Sequence, residues 1–247
     1  MRLTESLYVV GGGDAGFNLS GRIDANCYLI DTGDGLWLID VGFDAAERIV
    51  QNVRDEGLDP SAITRIFLTH NHADHAGALA SMRRLLGPGV RVAISTELAD
   101  DVRTGDDRAN GFRWAQEVGF YPSSVRLSPS TVDVELRDGD EVTSGGVRLT
   151  AIATPGHCAG HYSFLVEGAG PTALFSGDQV FWGGSILLQN LPDVDIGAYA
   201  ESMRRLSETD FELLLPGHAG VSLEHGKRHV DAALEQFRRI GIPPALF

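Results

Sequence analysis

Four segments, far apart along the chain, each run an apolar stretch directly into a histidine or an aspartate. Residues 63–68 lead to Thr69-His70, residues 147–153 to Thr154-Pro155-Gly156-His157, residues 173–176 to Gly177-Asp178, and residues 212–215 to Pro216-Gly217-His218. A fold that honours this pattern must bring several strand ends to one place. The other apolar runs, at 6–10, 26–31, 36–41, 91–94 and 162–166, are bounded by Gly, Asp or Pro and read as short strands. Helical periodicity predicts helices over 45–54, 75–86, 196–206 and 224–240. Alternating strands and helices give an α/β layered architecture. Residues 26–42 and 161–178 echo each other, each a hairpin that ends in an acid, Asp40 or Asp178. Two such halves, each a sheet with helices outside, would meet along a seam at their strand ends.

The densest chemical signal is Thr69-His70-Asn71-His72-Ala73-Asp74-His75-Ala76-Gly77, which packs three imidazoles and a carboxylate into six residues. While the backbone stays extended, His70 and His72 point the same way. Asp74 and His75 lie where the chain turns into a helix and face a second point, so the arrangement suits two adjacent metals better than one. Imidazole and carboxylate are good ligands for Zn²⁺, and also for Fe or Mn; two Zn²⁺ are the first expectation. A solvent-exposed His-rich turn is the bland alternative. It leaves unexplained the three distant partners, His157, Asp178 and His218, each of which follows a glycine that lets the backbone approach closely. Two metals about 3.5–4 Å apart can share a water, lower its pKa to about 7 and supply hydroxide at neutral pH.

Taken in order, HxHxDH at 70–75, GHxxGH at 156–161, GD at 177–178 and GH at 217–218 resemble the metallo-β-lactamase superfamily, over about residues 26–220. The resemblance implies a four-layered αββα sandwich. It also implies one metal on His70, His72 and His157, a second on Asp74, His75 and His218, and a bridging carboxylate at Asp178. Asp74 and Asp178 would be the catalytic carboxylates. Within the superfamily, the GHxxGH form and Asp178 look more like thioesterases of the glyoxalase II type and acyl-homoserine lactonases than like true β-lactamases. The chain departs from both. Only about thirty residues follow His218, where a glyoxalase II carries a further helical domain, and Phe181 stands where lactonases usually have a tyrosine. The expected activity is metal-dependent hydrolysis of a small ester, lactone or thioester by a metal-bridged hydroxide. The alternatives are a mononuclear iron enzyme resembling persulfide dioxygenases and a β-lactam hydrolase.

A chain of 247 residues suits one large domain, with a helical cap expected at about 97–126 bearing Phe112, Trp114, Phe120 and Tyr121. Trp114, Phe181 and Trp182 are candidates for an apolar substrate wall, and His161 for orienting a ligand or the substrate. A formal charge of −14 repels phosphate backbones and anionic membranes, so the expected partner is a small molecule and neither nucleic acid nor membrane. A homodimer is compatible with the composition. No signal-peptide pattern or long apolar run is present, which makes the cytoplasm the expected location. Gly11, Gly13 and Gly16 fit G-x-G-x-x-G, but a strand follows where a nucleotide site needs a helix, so they read as a Gly-rich loop near the site mouth. Cys27 and Cys158 read as buried, reduced thiols. His225 and His229 read as a solvated helix face, and Asp40 as a brace for the ligand loops.

Overall fold

The apolar runs of the N-terminal half become β1 (Leu7–Gly11), β2 (Cys27–Asp31), β3 (Leu36–Ile39), β4 (Ile63–Phe67) and β5 (Arg91–Ser95) in a computed structural model that describes residues 1–108 and 111–246. A short β6 (Val134–Leu136) completes a six-stranded sheet in sequence order. Its first three strands pair antiparallel, while β3 through β6 run parallel. The second sheet has five strands in the order β11-β10-β9-β8-β7. They are β7 (Glu141–Ser144), β8 (Val147–Ala153), β9 (Tyr162–Glu167), β10 (Ala173–Gly177) and β11 (Leu213–Pro216), all antiparallel neighbours except the parallel pair β10–β11.

The sheets face one another across a core that includes Leu7, Val9, Tyr28, Ile30, Trp37 and Phe67 from the first, and Leu149, Phe164, Phe175 and Leu215 from the second. Phe67 meets Phe164 edge-on at 5.8 Å, directly across the seam. The opposite face of the first sheet carries Tyr8, Val10, Leu29, Leu38, Ile66 and Val92, buried under α1 (Ala46–Asp55), α3 (Leu79–Leu86) and α4 (Ala99–Thr104). With apolar layers on both sides, its strands need continuous apolar runs, and this is the reason they stand out in the sequence. On the far side of the second sheet, Leu174 and Leu214 pack with residues of α6 (Ile196–Ser207) and α7 (Lys227–Arg238). The result is the expected αββα sandwich. Among the described residues, no helix is long and apolar enough to cross a membrane.

Three details differ from the sequence reading. Strands β6 and β7 lie at sheet edges with one face open to solvent, so they lack the apolar runs that mark the others. The helix expected over 75–86 is broken into α2 (Ala73–Ala76) and α3. The reason is that the loop after β3 takes the backbone groups at the break: Val41 N–H donates to His75 O at 2.8 Å and Ala78 N–H to Gly42 O at 3.0 Å. The 97–126 excursion divides in two. Leu98, Ala99 and Val102 of its first part belong to the core under the first sheet, whereas Phe112 of α5 (Phe112–Glu117) and Tyr121 form a separate cluster with Phe43 and Ala73. Residues Ala109 and Asn110 of that excursion lie outside the described residues.

Candidate metal centre

The chain leaves β4, β8, β10 and β11 at one edge of the sandwich, and the loops that follow carry every donor singled out by sequence. His70, His72 and His157 form one group of buried side chains, and Asp74, His75, Asp178 and His218 a second; within each, one donor atom per residue lies within 4.8 Å of the others. Both groups draw on both sheets, with residues 70–75 coming from the first and 157, 178 and 218 from the second. Parallel pairing sets Gly177 opposite Pro216, so Asp178 and His218 emerge side by side. Glycine is required at these exits. A Cβ on Gly217 would strike Asp178 Oδ1 and come within 2.6 Å of His75 Cε1, while Gly177 sits at φ +51° with His161 Nε2 2.5 Å from where its Cβ would be.

Neighbouring groups decide which ring nitrogen His70, His75 and His157 turn inward. Asp40 accepts from Thr69 N–H and from Thr69 Oγ1–H, both at 2.8 Å, and faces His75 Nδ1 at 2.8 Å. The Thr69 hydroxyl has spent its proton on Asp40, so at 3.0 Å from His70 Nδ1 it can only accept. His70 and His75 therefore both carry hydrogen on Nδ1 and turn Nε2 inward. His157 Nδ1 lies 3.3 Å from Leu187 O, which likewise leaves Nε2 facing inward, 2.9 Å from His72 Nδ1. Asp178 stands between the two groups: Oδ1 is 3.3 Å from His75 Nε2, and Oδ2 is 3.6 Å from His157 Nε2 and 3.4 Å from His218 Nε2. Its backbone N–H donates to His161 Nε2 at 3.1 Å, and His161 Nδ1 faces Thr154 Oγ1 at 2.9 Å. His161 thus holds the Asp178 backbone.

These donors fit divalent cations. Among the described residues, His70 Nε2 and His72 Nε2 are buried with no hydrogen-bond partner, and each such atom costs about 1–3 kcal/mol if nothing else satisfies it. Burial pushes His72 and His157 down to about 4 and His70 well below the usual histidine range, keeping these three imidazoles neutral with a lone pair to give. In the second group burial also acts downward, but the Asp178 carboxylate, aided by Asp74, outweighs it and lifts His218 to about 9; Asp178, Asp40 and Asp74 raise His75. For Asp74, burial is again opposed, here by His75 and His218, and its carboxyl falls to about 2. Two ionised carboxylates facing a ring of imidazoles make a cation-seeking cluster. Cys158 is excluded as a donor: it lies in the core under the first sheet, where burial raises its thiol well above the usual range.

A cavity of about 300 Å³ opens beside His72 and Asp74, walled by Phe112, Trp114, Val118, Phe120, Tyr121 and Leu191, with Gln189 and Asn190 as its polar members. Trp114 thus lines a cavity beside one donor of each group. Phe181 and Trp182, also expected to wall a substrate pocket, do not line this cavity. Phe181 is fully buried with its ring 6.3 Å from that of His218, and Trp182, half exposed, packs on His229 at 4.7 Å and under Arg228 at 5.2 Å. His229 is buried and accepts from Gly183 N–H, so only His225 keeps the solvated reading. The Gly-rich loop packs by the site, with Ala15 O accepting from Ala219 N–H, the residue after His218. Two contacts escaped the sequence reading: Tyr199, which donates to Leu187 O and Asp178 O at 2.9 and 3.2 Å, and the bond from Tyr121 to Asp74. Nothing in the local pattern of α6 marks Tyr199 out.

The family model of the metallo-β-lactamase superfamily matches residues 20–218. The chain belongs to this superfamily. Among curated relatives of this metallo-β-lactamase-fold chain, the lactamase-like protein adaB of Aspergillus niger is 27% identical over 227 residues, 90% of this chain and 57% of adaB. The atrochrysone carboxyl ACP thioesterase of Passalora fulva is 26% identical over 219 residues, 87% of this chain and 53% of that protein. The chain thus spans little more than half the length of these relatives. A solved metallo-β-lactamase with the HARLDQ motif, from Cronobacter sakazakii, superposes with a TM-score of 0.69 at 26% identity, covering 88% of this chain and 80% of its own.

Proposed function

We propose that this chain is a binuclear metal-dependent hydrolase that cleaves the acyl bond of a small thioester, ester or lactone with an apolar part. The observation that carries this reading is the meeting of two donor groups, with Asp178 between them, beside an aromatic-walled cavity lined by one donor of each group, His72 and Asp74. When bound, two divalent ions supply Lewis acidity and a water acidified to about pKa 7. His70, His72 and His157 would hold one ion; Asp74, His75 and His218 the other; Asp178 would face both. Asp74 has one oxygen turned to His218 at 3.1 Å and the other toward the cavity side, bonded by Tyr121. From there Asp74 can take a proton released in the attack and hand it to the departing sulfur or oxygen. Phe112, Trp114, Val118 and Phe120 take the apolar part of the substrate and exclude water from the reacting carbonyl. The thioesterase name of the Passalora relative favours thioesters as the first substrates to try.

The test combines elemental analysis of the purified protein with a panel of acyl thioesters, esters, lactones and a β-lactam. Two Zn per chain and chelator-sensitive turnover of acyl thioesters or esters would support the reading. A metal-replete protein inactive on the whole panel would overturn it. A single Fe with oxygen uptake on a persulfide would instead establish the mononuclear alternative.

A further inference from the structure

Four buried donors of the centre are oriented by groups outside the cap. His70 leans on Thr69, His75 on Asp40, His157 on Leu187 O, and Asp178 on His161 and Tyr199. Asp74 is different. Its side chain is 17% exposed, more than that of any other carboxylate or imidazole in the two groups, and its outer partner comes from the cap: Tyr121 Oη–H donates to Asp74 Oδ1 at 3.2 Å. The Tyr121 ring is itself clamped, stacked on Phe43 at 5.0 Å with 20° between planes and packed against Phe112 at 4.9 Å. It has little freedom to leave. A buried phenol needs a hydrogen-bond acceptor, and among the described residues Asp74 Oδ1 is the one it has.

We propose that Tyr121 is a positioning residue of the metal centre, holding the Asp74 carboxylate from the cap so that Asp74 Oδ2 stays turned toward His75 and His218. The inference rests on the metal-centre reading above. It adds that the cavity wall and the second ligand group share one side chain, joined through the Tyr121 hydroxyl. Partners of this outer kind fix the orientation of a ligating group, and their loss typically lowers metal affinity or activity about 10- to 100-fold.

The decisive variant is Tyr121→Phe, which keeps the ring packed on Phe43 and Phe112 and removes only the hydroxyl. In the full chain, its affinity for the more weakly held of two Zn²⁺, read by chelator competition, should fall about 10- to 100-fold. The absorption spectrum of its Co²⁺-substituted form should change, and kcat should fall while KM stays close to wild type. Phe120→Ala removes a ring that packs edge-on against Tyr121 at 4.9 Å but makes no bond to Asp74, and should leave the Zn²⁺ affinity and the Co²⁺ spectrum as in wild type. Wild-type affinity and spectrum in Tyr121→Phe would overturn the proposal, and so would an equal loss in Phe120→Ala, which would assign the effect to cap packing. A wild-type protein that holds two ions but cleaves nothing on the panel would sink the hydrolase reading and leave this one standing on its metal readouts. A wild type that binds no ion would sink both.

Discussion

Replacing Asp40 by asparagine probes how far the centre depends on a residue that touches no metal. Asp40 is buried at φ +58°, a backbone conformation asparagine tolerates well, so the substitution changes charge and one donor–acceptor face but not shape. Asp40 serves three donors at 2.8 Å: Thr69 N–H, Thr69 Oγ1–H and His75 Nδ1–H. The side-chain amide that replaces the carboxylate can accept at only one of its two positions, so at least one of these bonds is lost, and none of the remainder is charge-assisted. A hydrogen bond to a charged group is worth about 1.5–3 kcal/mol. At roughly 2–4 °C per kcal/mol for a chain near this size, Tm should drop by about 3–12 °C. The affinity for the second ion should fall about 10- to 100-fold because His75 loses the partner that fixes its ring. Asp40→Ala should cost about 1–2 kcal/mol more again, since alanine does not favour positive φ. Scanning calorimetry of the metal-loaded protein and chelator competition provide the two readings. Unchanged Tm and metal affinity in Asp40→Asn would show that the Asp40 bonds do not brace His75, and would refute the reasoning.

His72→Ala should lower bound metal below two per chain and abolish turnover in a folded protein; full stoichiometry by elemental analysis would remove His72 from the ligand set. Asp178→Asn removes the charge that faces both groups and should release one ion preferentially, visible as a two-phase chelator titration in which only one phase shifts. Cys27 and Cys158 are both buried with thiols pushed well above the usual range, so neither should react with a thiol reagent until the chain is denatured. Trp114→Ala should raise KM more for long acyl chains than for short ones, at about 0.8 kcal/mol per buried CH₂, and equal effects along a homologous series would place the chain elsewhere.

The residues gathered into the two donor groups were legible because each follows an apolar strand and, in the second sheet, a glycine that a close approach requires. That is a local signature of a tertiary event, and Gly217 shows why it holds: nothing larger fits between Asp178 and His75. What sequence missed is where the signal is shared between distant segments. The break between α2 and α3 is made by Val41 and Gly42, more than thirty residues upstream, and periodicity within 75–86 cannot register it. Strand β7 pairs on one side only, so its sequence Glu-Val-Thr-Ser needs little apolar character. Trp182 looked like a pocket wall by its distance from Asp178 in sequence, but the turn at Gly183 and Gly184, held by His229, directs it onto α7. Tyr121 was visible as an aromatic of the cap; its bond to Asp74 was not.

That each donor group draws on both sheets has a mechanical consequence. An ion seated on His72 and His157 is also a cross-link, tying positions 85 residues apart. Closing a loop on the order of 100 residues with a covalent bridge removes about 4.7 kcal/mol worth of denatured-chain entropy in the chain-entropy estimate, and a tightly held ion acts in the same sense. In a chain whose two cysteines are both free, the metals would therefore take the part that disulfides play in many secreted domains. Stripping them would be felt first as a loosening of one sheet on the other, along the line where Phe67 meets Phe164, with each sheet still paired within itself.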